Sequence, residues 1–153
     1  MHFEGRQTIQ AGVDAVWALL LDAERVAACA PGYQKIEVLS PGHFKPVVAV
    51  SVGPVKATFT LDVTLNNLRP PVHAEMNGRG LAAGSAVDVH SAMDLEARSD
   101  DSTTMAWAAD VTVSGTIASM GARLLEGTAE KMAARFFDCI RDRLETAAPA
   151  PAM

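Results

Sequence analysis

The sequence has few of the features that would place it on a nucleic acid or across a membrane. Its 153 residues carry 13 Lys and Arg against 18 Asp and Glu, and the cations form no cluster. Phosphate backbones need clustered cations, so we exclude nucleic-acid binding. The longest run of large apolar residues, residues 15–21, is far shorter than the roughly 18 needed to cross a bilayer, and residues 1–6 lack a secretory pattern. We expect a cytoplasmic protein with at most peripheral membrane contact.

Cysteine is also scarce. Cys29 and Cys139 are far apart in the sequence, form no CxxC pair and have apolar neighbours. This pattern favours two buried, reduced thiols over a disulfide or a metal site, because no further ligands stand nearby. We predict neither a metal nor a cofactor.

A long amphipathic helix is predicted over residues 116–146. No proline interrupts this stretch. Its apolar residues recur at steps of three and four, namely Ile117, Met120, Leu124, Leu125, Met132, Phe136, Phe137, Ile140 and Leu144. The apolar stripe shifts around the helix near Gly127, which predicts a bend there over a curved surface. Gly121 on this stripe indicates either close packing against a strand or the wall of a cavity.

The chain before this helix predicts seven strands and two short helices. The helices cover residues 13–21 and 22–29, and the glycines Gly78, Gly80 and Gly84 provide candidate bends in the sheet. The strands cover residues 2–10, 33–39, 43–52, 55–66, 72–79, 85–97 and 104–114. Short turns require antiparallel pairing, and a sheet with one apolar face must be covered.

The predicted fold class is therefore α+β in a helix-grip arrangement. A seven-stranded curved antiparallel sheet surrounds the long C-terminal helix, and the two short helices follow strand 1. We predict one domain over residues 1–146 and a disordered tail over residues 147–153, which are short and interrupted by proline.

The alternation predicts an inner face without ionisable groups. The inward residues of three strands are Phe59, Leu61, Val63, Leu65, Ser85, Val87, Val89, Ser91, Met93, Leu95, Met105, Trp107, Ala109, Val111 and Val113. The ionisable residues Asp62, Asp88, His90, Asp94, Glu96 and Asp110 fall on the opposite face. General acid or base catalysis needs a titratable group in a shielded site, so this pattern favours a binding protein over an enzyme.

Motifs that could indicate catalysis are weak. His90 between Asp88 and Asp94 is typical of the solvated face of a strand. The glycine-rich residues 78–85 join two antiparallel strands, whereas a phosphate-binding loop opens a helix after a parallel strand. GxSxG, HExxH and a readable Cys–His nucleophile motif are absent from the sequence, and we predict no catalytic residue.

An apolar ligand cavity between the sheet and the helix is the alternative to catalysis. Methionines on both predicted faces fit either plain core packing or an adaptable apolar pocket, and few aromatic residues are available to fill the space. The predicted lining residues are Phe59, Leu61, Met76, Val89, Met93, Trp107, Met120, Leu124, Met132 and Phe136.

Several motifs resemble one known family. They are WALLLD at residues 17–22, CAPG at residues 29–32, VGPVK at residues 52–56, the glycine-rich residues 78–85 and Phe136-Phe137. Together they resemble the carbon monoxide dehydrogenase CoxG family of the START-like (SRPBCC) superfamily, which includes Bet v 1 and polyketide cyclases. The resemblance extends from about residue 1 to residue 144. It implies a helix-grip fold with a hydrophobic cavity and a non-enzymatic role in placing a molybdenum-containing CO dehydrogenase, or a related hydroxylase, at the membrane by binding a quinone.

Three functions stay open on this evidence. The first is a carrier of a quinone or lipid-like molecule that associates with such a hydroxylase. The second is a polyketide cyclase or aromatase-like enzyme, for which Ser85, Ser91 and Tyr33 are the available polar candidates. The third is an assembly factor with a filled core, which a cavity near Met120 and Leu124 would contradict. Some family members carry a longer membrane-contacting C-terminal extension than residues 147–153, so we do not expect this chain to anchor itself.

Overall fold

The computed structural model describes residues 1–147. Its strands form one antiparallel sheet in the order β1-β7-β6-β5-β4-β3-β2. They are β1 (His2–Ile9), β2 (Tyr33–Ser40), β3 (His43–Val52), β4 (Val55–Arg69), β5 (His73–Ala82), β6 (Ser85–Ser99) and β7 (Ser102–Gly115). From β2 to β7 each strand pairs with the next along the chain, and β1 returns to pair with β7, with His2 opposite Asp110. The predicted seven-stranded antiparallel sheet is confirmed.

The helices cover the inner face of the sheet. They are α1 (Val13–Leu21), α2 (Ala23–Ala27), a short 3-10 helix (Thr116–Met120) and the long α3 (Ala122–Ala147). The helix-grip arrangement is therefore confirmed. Ala147, which was predicted to begin a disordered tail, ends α3, and residues 148–153 of that predicted tail lie outside the described residues. Within residues 1–147, no helix combines the length and apolar character needed to span a membrane.

The prediction of one continuous helix over residues 116–146 was wrong. Gly121 has a φ of 96°, which separates the 3-10 helix from α3. Glycine adopts this conformation without steric cost, so it is the residue suited to the break. A side chain at Gly121 would meet nothing within 4 Å, so this glycine does not serve close packing. The helix α3 passes through Gly127, where we expected the bend, without interruption.

The prediction of two reduced cysteines was also wrong. Cys29 and Cys139 form a disulfide with their Cα atoms 5.4 Å apart. Cys29 follows α2 and Cys139 lies on α3, 110 residues later. Spacing in the sequence does not predict such a pair, because only the path of α1 and α2 under the C-terminal helix brings the two thiols together. Cys29 is 4% exposed, so its predicted burial is confirmed.

The hydrophobic core is divided into two clusters. The first cluster lies beneath α1 and the second half of α3, and it includes Ile9, Val16, Leu19, Leu95, Met105, Phe137, Ile140 and Leu144. The second cluster lies near the 3-10 helix and consists of Val52, Phe59 and Ile117, with Leu61, Val87 and Met120 packed against them. The two clusters occupy different parts of the inner face, and the space that separates them becomes the site described below.

The outer face of the sheet carries the ionisable residues, as predicted. Each of the four histidines of the sequence lies within 4 Å of a carboxylate there. His43 Nε2 is 2.7 Å from Asp62 Oδ1, and His2 Nδ1 is 2.8 Å from Asp110 Oδ1. These pairs are largely exposed, so each contributes little to stability.

His73 is the least exposed of these histidines. Its Nε2 lies 2.9 Å from Glu75 Oε2 and its Nδ1 lies 2.7 Å from Asp94 Oδ1, so carboxylates occupy both ring nitrogens. Two hydrogen bonds raise the pKa of His73 above its ordinary value of 6.5. The bond to Glu75 has the larger effect, and the bond to Asp94 has the next largest. The hydrogen bond between His73 and Glu75 also lowers the pKa of Glu75, and a hydrogen bond from Asn67 lowers it further.

Two glycine substitutions test the packing of the sheet. A Cβ at Gly80 on β5 would lie 2.8 Å from Val87 Cγ1 and 3.2 Å from Leu61 Cγ, whereas a Cβ at Gly127 on α3 would meet nothing within 4 Å. We expect Gly80→Ala to lower the free energy of unfolding by about 1–3 kcal/mol through overpacking. The control Gly127→Ala should raise it by about 0.5–1 kcal/mol, because alanine favours a helix interior. Urea unfolding measures both, and a Gly80→Ala variant as stable as the wild type would contradict this packing.

The two carboxylates that contact His73 predict a pH dependence of stability. A histidine whose pKa is raised on folding contributes stability below its unfolded pKa, and this contribution is lost as pH rises through the folded pKa. The difference in the free energy of unfolding between wild type and His73→Gln should therefore shrink as pH is raised from about 6 to about 8. NMR titration of His73 in a Glu75→Gln variant should show its pKa falling back toward 6.5. If the difference in the free energy of unfolding between wild type and His73→Gln stays constant over this pH range, the raised pKa of His73 is contradicted.

Candidate functional site

A cavity of about 380 Å³ lies between the sheet and the helices. Its floor is the inner face of the sheet, α3 forms one wall, and α1, α2 and the turn after α2 form another. Six of the predicted lining residues surround it, namely Met76, Val89, Met93, Trp107, Met132 and Phe136. Their contact with a ligand stays a prediction, but the structure brings all six to one space.

The cavity exists because the middle of the inner face carries small side chains. Ser91 of β6 pairs directly with Ala109 of β7, and both line the cavity. Farther along the same two strands, Val87 and Val113 pack against the second core cluster. In the other direction, Leu95 and Met105 belong to the first cluster. The interior is thus filled at both ends of these strands and open between them.

The other four predicted lining residues lie elsewhere. Phe59 is 4% exposed in the second cluster, and Leu61 and Met120 pack against that cluster. Leu124 is 39% exposed on the first turn of α3. The break at Gly121 moves Met120 and Leu124 off the line predicted for one continuous helix, and they border a shallow surface depression instead. These four residues are therefore not part of this cavity.

Several lining residues were not predicted. They are mainly Leu20, Leu21, Val26, Ala30 and Pro31 from the α1–α2 region, Phe44 and Leu65 from β3 and β4, and Met105 and Phe137. Leu65 and Met105 were predicted to face inward but were not assigned to the cavity, and Phe44 could have been found because the alternation places it on the same face. The helical residues could not, because the sequence does not show how α1 and α2 turn over the end of the sheet.

The lining contains few polar groups. Ser91 contributes a hydroxyl, and Trp107 contributes an indole whose Nε1 is buried without a hydrogen-bond partner among the described residues. The Trp107 ring lies against Gly5, where an added Cβ would come within 3.0 Å of Nε1. Its ring centroid is 5.0 Å from that of Phe137. The site is an aromatic and thioether surface with very little to bind a charged molecule.

Glu75 is the one ionisable residue among the described lining residues. Its carboxylate oxygens accept hydrogen bonds from His73 Nε2 at 2.9 Å and Asn67 Nδ2 at 3.1 Å. Both partners keep the carboxylate engaged on the outer face, and they lower its pKa. Glu75 is thus ionised and already bonded, which makes it a poor general acid for a guest in the cavity.

The polar residues considered for an enzyme do not meet in this space. Ser91 lines the cavity, but the Ser85 hydroxyl accepts a hydrogen bond from the Ile117 N–H at 3.0 Å and so holds the 3-10 helix. Tyr33 is not among the lining residues described. Within residues 1–147, no group of three or more His, Cys, Asp or Glu side chains is placed to hold a metal ion.

A second depression, of about 440 Å³, lies on the outer face of the sheet and has a different character. Arg79 and Asp88 border it and pair with each other at 2.8 Å, and His90 Nδ1 lies 2.6 Å from Asn77 Oδ1. Its polar groups satisfy one another and it is open to solvent. The inner cavity is therefore the better candidate for binding a small molecule.

Solved structures share this architecture over nearly the whole chain. A conserved protein from Geobacillus kaustophilus superposes with a TM-score of 0.89 at 22% identity, covering 96% of this chain and 97% of its own. The Zhui aromatase/cyclase from Streptomyces sp. R1128 gives a TM-score of 0.74 at 18% identity, covering 99% and 98%. A START superfamily protein from Mycobacterium smegmatis gives 0.73 at 12% identity, covering 95% and 97%. At these identities the likeness establishes the START-like fold.

The family comparison is more specific than the fold. No curated protein sequence matches this chain. However, residues 5–145 match the model of the CoxG family. This family is named for a subunit of carbon monoxide dehydrogenase. The matched range includes both cysteines and every residue named above as lining the cavity. The chain therefore belongs to the carbon monoxide dehydrogenase CoxG family.

Proposed function

We propose that this protein is a non-enzymatic carrier that holds an apolar small molecule, a quinone or a lipid-like compound, in the cavity between the sheet and α3. The observation that carries the proposal is a cavity of about 380 Å³ lined by methionine, aromatic and aliphatic side chains. This volume falls within the range of about 300–1,000 Å³ that is typical of small-molecule sites.

The size of the cavity supports an occupant. In core mutants, empty volume costs about 24 cal/mol per Å³, so a closed dry void of 380 Å³ would cost roughly 9 kcal/mol. That is comparable to the whole stability of a typical domain, about 5–15 kcal/mol. The space must therefore hold either solvent or a guest. Because the walls offer so few hydrogen-bonding groups, an apolar guest is favoured over water.

The family suggests the setting in which the carrier acts. A CoxG protein is by name a subunit of carbon monoxide dehydrogenase. We propose that this chain associates with a molybdenum hydroxylase of that kind, that its contact with the membrane is peripheral, and that it brings the apolar molecule and the enzyme together.

The two other functions receive less support. An aromatase-like reaction is suggested by the likeness to the Zhui aromatase/cyclase, but of its three candidate residues only Ser91 lines the cavity. An assembly factor with a filled core does not fit the open space beside Met132 and Phe136. The carrier is therefore the function that the lining favours.

Ligand binding can be tested with a matched pair of variants on α3. Ala133 lines the cavity, and its neighbour Ala134 is exposed. A saturating naphthoquinone at 100 times its dissociation constant should stabilise the wild type by about 2.7 kcal/mol, which raises Tm by about 5–10 °C. We expect Ala133→Leu to weaken binding at least about tenfold, because its added carbons occupy the ligand's space, and Ala134→Leu to bind as the wild type does.

Thermal shift and quenching of tryptophan fluorescence would measure this effect. Native mass spectrometry of protein purified without detergent should also reveal a bound apolar molecule. If no quinone or lipid in a broad panel shifts Tm and no ligand is carried through purification, the carrier function is wrong.

Association with the enzyme is tested separately. Co-expression with a molybdenum hydroxylase of the CO dehydrogenase type should yield a complex on size-exclusion chromatography, and Ala133→Leu should preserve it because the substitution lies inside the cavity. Separate elution of the two proteins at micromolar concentration would contradict the proposed association. It would not affect the proposed ligand binding, which is measured independently.

A further inference from the structure

The disulfide connects two walls of the cavity. Cys29 directly precedes Ala30 and Pro31, which line the cavity from the turn after α2. Cys139 lies on α3 one helical turn after Phe136, which lines the cavity from the opposite side. The bond therefore ties residues 23–31, which we call the lid, to the helix that faces it.

The lid is a compact unit with a backbone break at each end. Its turns are held by internal hydrogen bonds, including Ala28 N–H to Glu24 O at 3.2 Å and Ala30 N–H to Ala27 O at 2.9 Å. Before it, Asp22 is extended, with φ −87° and ψ 102°. After it, Gly32 has a φ of 81°. Such breaks at the ends of an element can absorb a rotation of the segment between them.

The second break is anchored on the sheet. The Ala49 N–H donates to Gly32 O at 2.9 Å, and a Cβ on Gly32 would come within 2.0 Å of Ala49 O. This close approach fixes the chain where the lid ends. A movement of the lid would therefore turn about Gly32, with Asp22 as the second pivot.

Apart from the disulfide, the lid is held by contacts of mostly small apolar side chains. Ala27 and Cys29 are its buried residues, at 7% and 4% exposure, and its other apolar residues, Ala23, Val26, Ala28, Ala30 and Pro31, are half-buried. Small side chains bury little apolar area and contribute correspondingly little to holding a segment in place. Segments without large buried side chains open locally at lower free-energy cost than the core, so we expect the covalent bond to contribute strongly to the position of the lid.

We propose that Cys29–Cys139 is a redox latch on the cavity: the disulfide keeps the lid closed over the ligand, and its reduction by a dithiol frees the lid and accelerates exchange of the ligand. This inference rests on the proposed carrier function, because it presupposes a ligand in the cavity.

The chemistry of the latch is thiol–disulfide exchange. One thiolate of the dithiol attacks the sulfur of Cys139, which is the more exposed of the two, and releases the Cys29 thiolate. The second thiolate of the dithiol then attacks the mixed disulfide and releases Cys139. The dithiol ends as a disulfide, and the two cysteines end as thiols after taking up two protons.

The test compares release of a neutral apolar probe, Nile red, from oxidised and reduced protein. Stopped-flow mixing with excess phosphatidylcholine vesicles gives the release rate. We expect dithiothreitol to accelerate release by about tenfold in the wild type. A Cys29→Ala/Cys139→Ala double variant should release the probe at the reduced rate with and without dithiothreitol.

A second readout does not depend on the double variant. Hydrogen exchange of wild-type protein should become faster across residues 23–31 after reduction, while the amides of β6 stay protected. Equal release rates from oxidised and fully reduced protein, with reduction verified by mass spectrometry, would overturn the latch and leave the carrier intact. Nile red bound by neither form, together with no binding of any quinone or lipid in the panel, would overturn the carrier and the latch together.

Discussion

The structure depends on the strict separation of polar and apolar side chains across one antiparallel sheet. Successive residues of a strand point to opposite faces, so the alternation in β4, β6 and β7 places charges outside and apolar groups inside. An apolar face of this extent must be removed from water, which requires the helices to lie across it. The position of α3 across the inner face follows from this requirement.

The helices cover this face without filling it. The second half of α3 places Phe137, Ile140 and Leu144 in the core, whereas Leu124 near its start is exposed. At the small pair Ser91 and Ala109 the inner face is left uncovered, and the lid borders the same cavity without filling it. A binding site therefore arises where the side chains are too small to fill an otherwise regular core. Its lining is apolar because the surrounding core is apolar.

The sequence predicts those features that follow from local periodicity. The seven strands and the outward position of residues such as Asp62 and His90 follow from the alternation, the two short helices follow from helical spacing and their stop signals, and the structure confirms them. The features that the sequence does not predict depend on tertiary placement. The disulfide requires two segments 110 residues apart to meet. The break at Gly121, just before α3 begins, follows from a backbone angle that apolar spacing does not encode. Phe59 and Leu61 were assigned to the correct face, but periodicity could not tell which part of that face stays open.

The central claim is that the space beside Met132 and Phe136 receives an apolar guest, and the methionine methyl groups report on it most directly. Met76, Met93, Met105 and Met132 line the cavity, and Met120 packs in the second core cluster. In a ¹³C-methyl-methionine NMR titration with a naphthoquinone, we predict shifts for the four lining methyls and an unchanged Met120 signal. Unchanged signals from all four lining methyls at saturating quinone, or shifts centred on Met120, would contradict this account.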